Sequence, residues 1–493
     1  MGHYQQKKII YDKINAGEPV KISFKYISDD ILILVNSIIA RVLAKYDLLY
    51  ILHSALTIVR ELLVNALKAN AKRVFFIKNG LDITNSEEYL KGLSLFKEHI
   101  IGDFDFIRQD ILSSEYSILF SVSADDENIN FVVKNNAGLL ESERSRINKR
   151  FAIALQNENF GDIYAQIEGD NEGAGLGIAL IVMFLKSMGI PSEFFRIKSD
   201  GNVTVSSLTI PRQIKPVEIV SRIKTRILLE VKGIPTFPEN VTELIEMCLS
   251  PEADINIIAD KIKRDVALSS DVIKLANSPG FVTIGKTEDV QKAIVKIGLK
   301  NLYSVLIAST ARKILETRYS RFEEIWEHCA KVAFYSKALA MKYKLNSIAE
   351  NVYMAGLLHD IGSVIFLSVD MKSVRRIADI VKNHEIITTN IMEEISIGIS
   401  HSEIGYLVSK KWNFPDYLSV AIKFHHSPLV VEDEFKDIVY IVYLANAFTL
   451  IEKRTFYYHY IEEDILARFN IYDLDGATSL HKYLMKEFEN RTR

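Results

Sequence analysis

Apolar residues at a helical period open the chain. Residues 28–72 read as helix, and in HSALTIVRELLVNALKANAKRVFF, starting at His53, the positions Leu56, Val59, Leu63 and Ala66 recur at that spacing. Strand-like runs follow: RVFFI at 73–77, YSILFSVS at 116–123 and INFVVKN at 129–135, with a helical insertion at roughly 86–113 between the first two. GAGLG at 173–177 precedes an apolar helix, IALIVMFLKSMG, and a last strand, NVTVSSLTI, runs up to Pro211. Helices mixed with antiparallel strands predict an α+β sandwich for residues 1–212. From about 218 onward strand-like alternation nearly vanishes, which predicts an all-α helical bundle over 222–493. The polar stretch RQIKPVEI, with Pro216, places a linker at 213–221.

Composition changes this picture little. Hydrophobic residues at 48% and charged residues at 25% fit globular domains, and a net charge of −3 calls for neither nucleic acid nor an anionic membrane. Two cysteines, Cys248 and Cys329, are too few for a disulfide framework and favour a reducing compartment. The N-terminus lacks an apolar signal core, and ILILVNSIIARVLA at 31–44 is too short to span a bilayer. The expectation is a cytoplasmic protein. Its apolar helix near 28–48 could pack against a second copy, as a homodimer, as readily as against its own sheet.

Two elements of the N-terminal half carry chemistry. Glu61 and Asn65 are four apart and share the polar face of their helix, a pattern that alone is most often a solvated stripe. Gly173, Gly175 and Gly177 precede a helix, where glycines let backbone approach a polyphosphate and the helix N-terminus offers free N–H groups; a tight turn with close packing is the structural alternative. In this order the pieces resemble the GHKL ATP-binding domain of gyrases and histidine kinases, over roughly 28–212. RELLVNALKANA looks like that family's N-box, which implies Asn65 as a Mg²⁺ ligand and Glu61 as the group that polarises a water or hydroxyl. GAGLGIAL looks like its glycine box, with 140–172 as a lid. The resemblance also implies an aspartate at the adenine contact, where this chain has Asn135, with Ala137 replacing a glycine. An Asn carbonyl still accepts from an adenine amino group, without charge assistance.

In the C-terminal half, GIPTFPENVTELIEMC (233–248), DVALSSDVIKLANSPGF (265–281) and VQKAIVKIGLKNL (290–302) resemble the first half of an HDOD domain, the HD-related output domain of bacterial signalling proteins. IWEHCAKVA, AGLLHDIGSVIF, HSEIGYLVSKKWNFP and AIKFHHSP look like its four histidine-bearing stretches. In the catalytic HD superfamily such residues converge on one or two metals that hold a phosphoester and activate water. The resemblance implies His328, His359, Asp360, His401, His425 and His426 as ligands, a set suited to Fe, Mn, Zn or Co. The closing aspartate of a catalytic site is replaced by Asn446, 20 residues after His426, and NFP at 413–415 stands in place of the G-Y-P signature of cyclic-dinucleotide phosphodiesterases. A neutral Asn binds a dication more weakly than a carboxylate.

The expectation is therefore a non-catalytic signalling protein. A GHKL-like domain binding ATP or ADP with Mg²⁺ would regulate an HDOD output domain that meets a protein partner and holds a transition metal weakly. The alternatives are a metal-dependent HD-type phosphohydrolase acting on a nucleotide or cyclic dinucleotide, and a kinase or ATPase acting through Glu61.

Overall fold

The computed structural model describes residues 3–100, 105–157, 163, 166, 176–214, 222–277, 286–319, 322–369, 371 and 389–492. The chain forms two compact units, Met1–Ile219 and Val220–Arg493.

The first unit is mixed α/β. Strands β1 (Val20–Phe24), β2 (Ile118–Ala124), β3 (Asn128–Asn135), β4 (Phe195–Ser199) and β5 (Thr204–Pro211) make one antiparallel sheet in the order β1-β2-β3-β5-β4. Its helices are α1 (His3–Ala16), α2 (Asp29–Lys45), α3 (Leu52–Lys78), α4 (Ser86–Ile100), α5 (Arg108–Ser113), α6 (Glu141–Gln156) and α7 (Leu176–Ser187). Period-2 alternation buries Ile118, Phe120 and Val122 of β2 and Ile129, Phe131 and Val133 of β3, and α3 packs on β3 and on α7.

Three expectations are corrected here. RVFFI is not a strand but the end of α3. No Gly or Pro interrupts residues 55–78, so the helix continues, and Phe75 and Phe76 are buried against Phe96 and Tyr89 of α4. The single helix expected over 28–72 breaks between α2 and α3, where Asp47 takes a left-handed φ of 57°. The sheet's outer strands, VKISF and FRIKS, lie where no strand was expected, because five residues show too little alternation to stand out.

The second unit is all-α among its described residues. It begins with α8 (Arg222–Gly233), α9 (Glu239–Leu249), α10 (Ile255–Lys263), α11 (Val266–Ala276), α12 (Val290–Ile297) and α13 (Leu299–Arg318). It continues with α14 (Glu323–Lys342), α15 (Ala349–Leu358), α16 (Ile361–Val369), α17 (Thr389–Ile397), α18 (His401–Lys411), α19 (Asp416–Phe424), α20 (Lys436–Glu452), α21 (Glu463–Arg468) and α22 (Leu474–Thr492).

Glycines set its closest helix crossings. A Cβ on Gly356 of α15 would lie 2.8 Å from Ala333 Cα of α14, and one on Gly405 of α18 would lie 2.7 Å from Ile422 Cγ2 of α19. Among the described residues, Leu49–Lys78 and Asn346–Val369 are long and apolar enough to cross a bilayer by length and composition, which the reading of 31–44 as the most apolar stretch did not anticipate. Over half of each apolar window, 56% and 72%, is buried inside the protein.

Candidate metal centre

His328 lies on α14, one turn and a half from its N-terminus. His359 and Asp360 occupy the corner between α15 and α16. His401 is the first residue of α18, whose N-cap Ser400 accepts from Glu403 N–H at 3.4 Å. His425 and His426 follow the last turn of α19. Four chain segments thus deliver the six residues named from the sequence.

They form two donor triads, His328–His359–Asp360 and His401–His425–His426, each with ligand atoms within 4.8 Å of one another. The triads touch: His401 Nε2 is 3.4 Å from Asp360 Oδ1, and the His359 and His425 ring centroids are 4.8 Å apart.

Hydrogen bonds at the outer nitrogens orient the rings. His359 Nδ1–H donates to Gly356 O at 2.8 Å, and His425 Nδ1–H donates to Ile422 O at 2.7 Å. A carbonyl can only accept, so both rings carry their proton on Nδ1 and present a bare Nε2. His401 Nδ1–H donates to Glu393 Oε2 at 2.8 Å, and the same oxygen takes the His401 backbone N–H at 2.8 Å. His401 Nε2 then stands 3.2 Å from His426 Nε2 and 3.4 Å from His425 Nε2. Lone pairs facing at these distances repel unless a cation sits among them. His359 Nε2 and Asn446 Oδ1 are buried here with no hydrogen-bond partner among the described residues. A set of imidazoles with lone pairs turned inward, one carboxylate and orphaned acceptors fits a transition metal ion.

Electrostatics agree. Burial holds the His328 imidazole down at about 3 and pushes His359 and His425 down as well, so these rings are neutral and able to ligate at pH 7. For His401 burial also pushes down, but the carboxylates of Glu393 and Asp360 outweigh it and hold the ring up at about 9. Burial alone would raise Asp360, yet the surrounding imidazoles, His401 foremost, keep it at about 2. A metal ion held by these donors would take the place of the His401 proton.

This site overturns the non-catalytic expectation. That reading rested on Asn446 in place of an aspartate, but two triads stand complete without it, and Asp360 and Glu393 supply negative charge that Asn446 does not. Asn446 is buried on α20 beside His328.

Sequence reasoning missed Glu393. It lies on α17, is buried, and fixes the ring of His401; the signal was an acidic residue eight positions before a histidine that opens a helix. It also missed Ser363, whose hydroxyl donates to Asp360 Oδ1. Glu393→Gln is expected to weaken metal affinity about 10- to 100-fold, the usual cost of losing the group behind a ligating histidine, with helix content unchanged. Competitive metal titration alongside circular dichroism checks this.

In the N-terminal unit, Glu61 and Asn65 on α3 do meet the start of α7. A Cβ on Gly177 would lie 2.3 Å from Glu61 Oε2 and 3.8 Å from Asn65 Nδ2. Burial pushes the Glu61 carboxyl up, against the pull of Lys68 and Arg60. Gly173 and Gly175, and most of the lid expected over 140–172 beyond α6, lie outside the described residues. Asn135 is buried, with its amide nitrogen donating to Asn70 Oδ1 at 3.1 Å and Ala137 O at 3.4 Å. Its amide nitrogen is thus engaged within the unit.

Residues 234–428 match the family described as HDOD domain. An uncharacterized protein of Treponema pallidum (strain Nichols) is 25% identical over 433 residues, 87% of this chain and 84% of that relative. An HDOD domain protein of unknown function from Geobacter sulfurreducens is 24% identical, covering 54% of this chain and 99% of that one at a TM-score of 0.40. A proposed phosphohydrolase from Shewanella amazonensis is 22% identical, covering 54% and 98% at a TM-score of 0.41. The stretch that matches the HDOD domain family, residues 234–428, contains all six donors.

Proposed function

We propose that the C-terminal unit is a metal-dependent phosphohydrolase. The observation that carries this is the pair of donor triads, one of two histidines and an aspartate and one of three histidines, joined through Asp360 and His401. His328, His359 and Asp360 would hold metal on one side, and His401, His425 and His426 on the other. The chemistry a metal would supply at these residues is Lewis-acid stabilisation of phosphoryl charge and a nucleophilic water at neutral pH. The protein's own part is orientation. Gly356 O and Ile422 O hold His359 and His425, Glu393 holds His401, and Ser363 holds Asp360, so the donors need little rearrangement. The substrate class is a phosphoester, with nucleotides and cyclic dinucleotides the first to try. The family resemblance adds a signalling pathway, with a protein partner, as the setting.

Purified full-length protein loaded separately with Mn²⁺, Fe²⁺ or Zn²⁺ is expected to release product from at least one phosphomonoester or cyclic dinucleotide. Chelation should abolish turnover and re-addition of metal restore it. Stoichiometric metal with no product from either substrate class would refute the proposal.

A further inference from the structure

Three of the histidines have their outer nitrogen held by a fixed acceptor: Gly356 O for His359, Ile422 O for His425 and Glu393 for His401. His328 turns its Nδ1 to Thr449 Oγ1 of α20, 3.4 Å away, and both residues are buried. The threonine hydroxyl donates to Asn446 O of its own helix at 2.8 Å. A hydroxyl has one hydrogen, so towards His328 this oxygen can only accept. A neutral His328 ring then carries its proton on Nδ1 and leaves Nε2 bare, as His359 and His425 do.

The contact is one rung between two packed helices. On α14, His328, Lys331 and Tyr335 stand at i, i+3 and i+7, one face of a helix. On α20, Asn446, Thr449 and Glu452 stand three apart. Glu452 takes Lys331, accepts from the Tyr335 hydroxyl at 2.8 Å and meets His481 Nε2 at 3.1 Å. That cluster fixes how α20 is turned against α14, one turn beyond Thr449. A threonine inside a helix commonly bonds an upstream carbonyl, and a self-satisfied core residue would do no more. That bond uses the hydrogen and leaves unexplained the lone pair that faces His328. We infer that Thr449 is a positioning residue, the acceptor that sets the tautomer and tilt of His328 so that its Nε2 can ligate a metal ion. It does for the first triad what Glu393 does for the second. At 3.4 Å the bond is long and its acceptor neutral, so its effect is smaller than that of Glu393. This rests on the hydrolase reading above.

The test is titration of Zn²⁺ and Mn²⁺ into metal-free full-length protein as wild type, Thr449→Val and Thr449→Ser, each also with His328→Ala. Thr449→Val keeps the shape and removes the acceptor, and is expected to weaken metal binding about tenfold, the lower end of what loss of such support costs. Thr449→Ser keeps the oxygen and should recover most of the affinity. With His328→Ala, Thr449→Val should cost nothing further, because the ring through which it acts is gone. The melting temperature of metal-free Thr449→Val should stay near that of wild type. Unchanged metal affinity in Thr449→Val overturns the proposal. A loss that persists without His328, or an equal loss in Thr449→Ser, marks a packing role and overturns it too. Titration needs no turnover. A wild type whose metal affinity depends on Thr449 but that hydrolyses nothing overturns the hydrolase reading alone, and one that binds no metal overturns both.

Discussion

Gly362→Ala is expected to break the metal centre. A Cβ at this position would lie 1.9 Å from His401 O and 2.6 Å from Gly405 N. Both are backbone atoms of α18, so no side chain can rotate aside, and α16 and α18 must separate by roughly 1.5 Å to restore ordinary contact. That separation carries His401 away from Asp360, now 3.4 Å distant. Overpacking of this kind costs about 1–3 kcal/mol, and backbone clashes sit at the upper end. At roughly 2–4 °C per kcal/mol for a domain of this size, melting should fall by several degrees. Metal affinity should fall with it, because the donors no longer converge. Thermal denaturation and metal analysis test both, and an unchanged melting temperature with full metal load would mean that the crossing tolerates a methyl group.

Asp360→Asn is expected to have the largest effect on activity. Asp360 is the carboxylate of one triad and the nearest carboxylate to His401 Nε2 of the other. The amide keeps the shape and removes the charge that offsets a dication. Metal-assisted charge stabilisation is worth several kcal/mol, and each 1.36 kcal/mol is tenfold in rate, so turnover should fall about a thousandfold. Metal occupancy should drop below stoichiometric. The variant should still fold, since Asp360 sits at a helix corner and its hydrogen bond to Ser363 survives in altered form. Wild-type kcat with a full metal load in this variant would remove Asp360 from the site's chemistry.

How far each feature could be read depended on its physical range. Helical periodicity in the second unit and alternation in β2 and β3 are local, and they were legible. RVFFI was not, because β-branched and aromatic residues favour a strand locally while α4 supplies the packing that keeps them helical. The donors were legible only through the family resemblance, which matches single positions, since one histidine on an apolar helix is usually a satisfied core residue. Asn446 was misleading for the same reason: one position was weighed where the charge of the whole cluster decides, and Asp360 and Glu393 together supply it.

The sequence by itself determined that helices would build the second unit, because periodicity is a property of neighbouring residues, and the family resemblance named the side chains that could ligate. Only the tertiary structure decided which nitrogens face inward, that Glu393 stands behind His401, and that Gly356, Gly362 and Gly405 bring the helices close enough for the two triads to meet. Those features depend on distances of a few ångströms between segments tens of residues apart, and such distances follow from how whole helices pack, which no local pattern encodes.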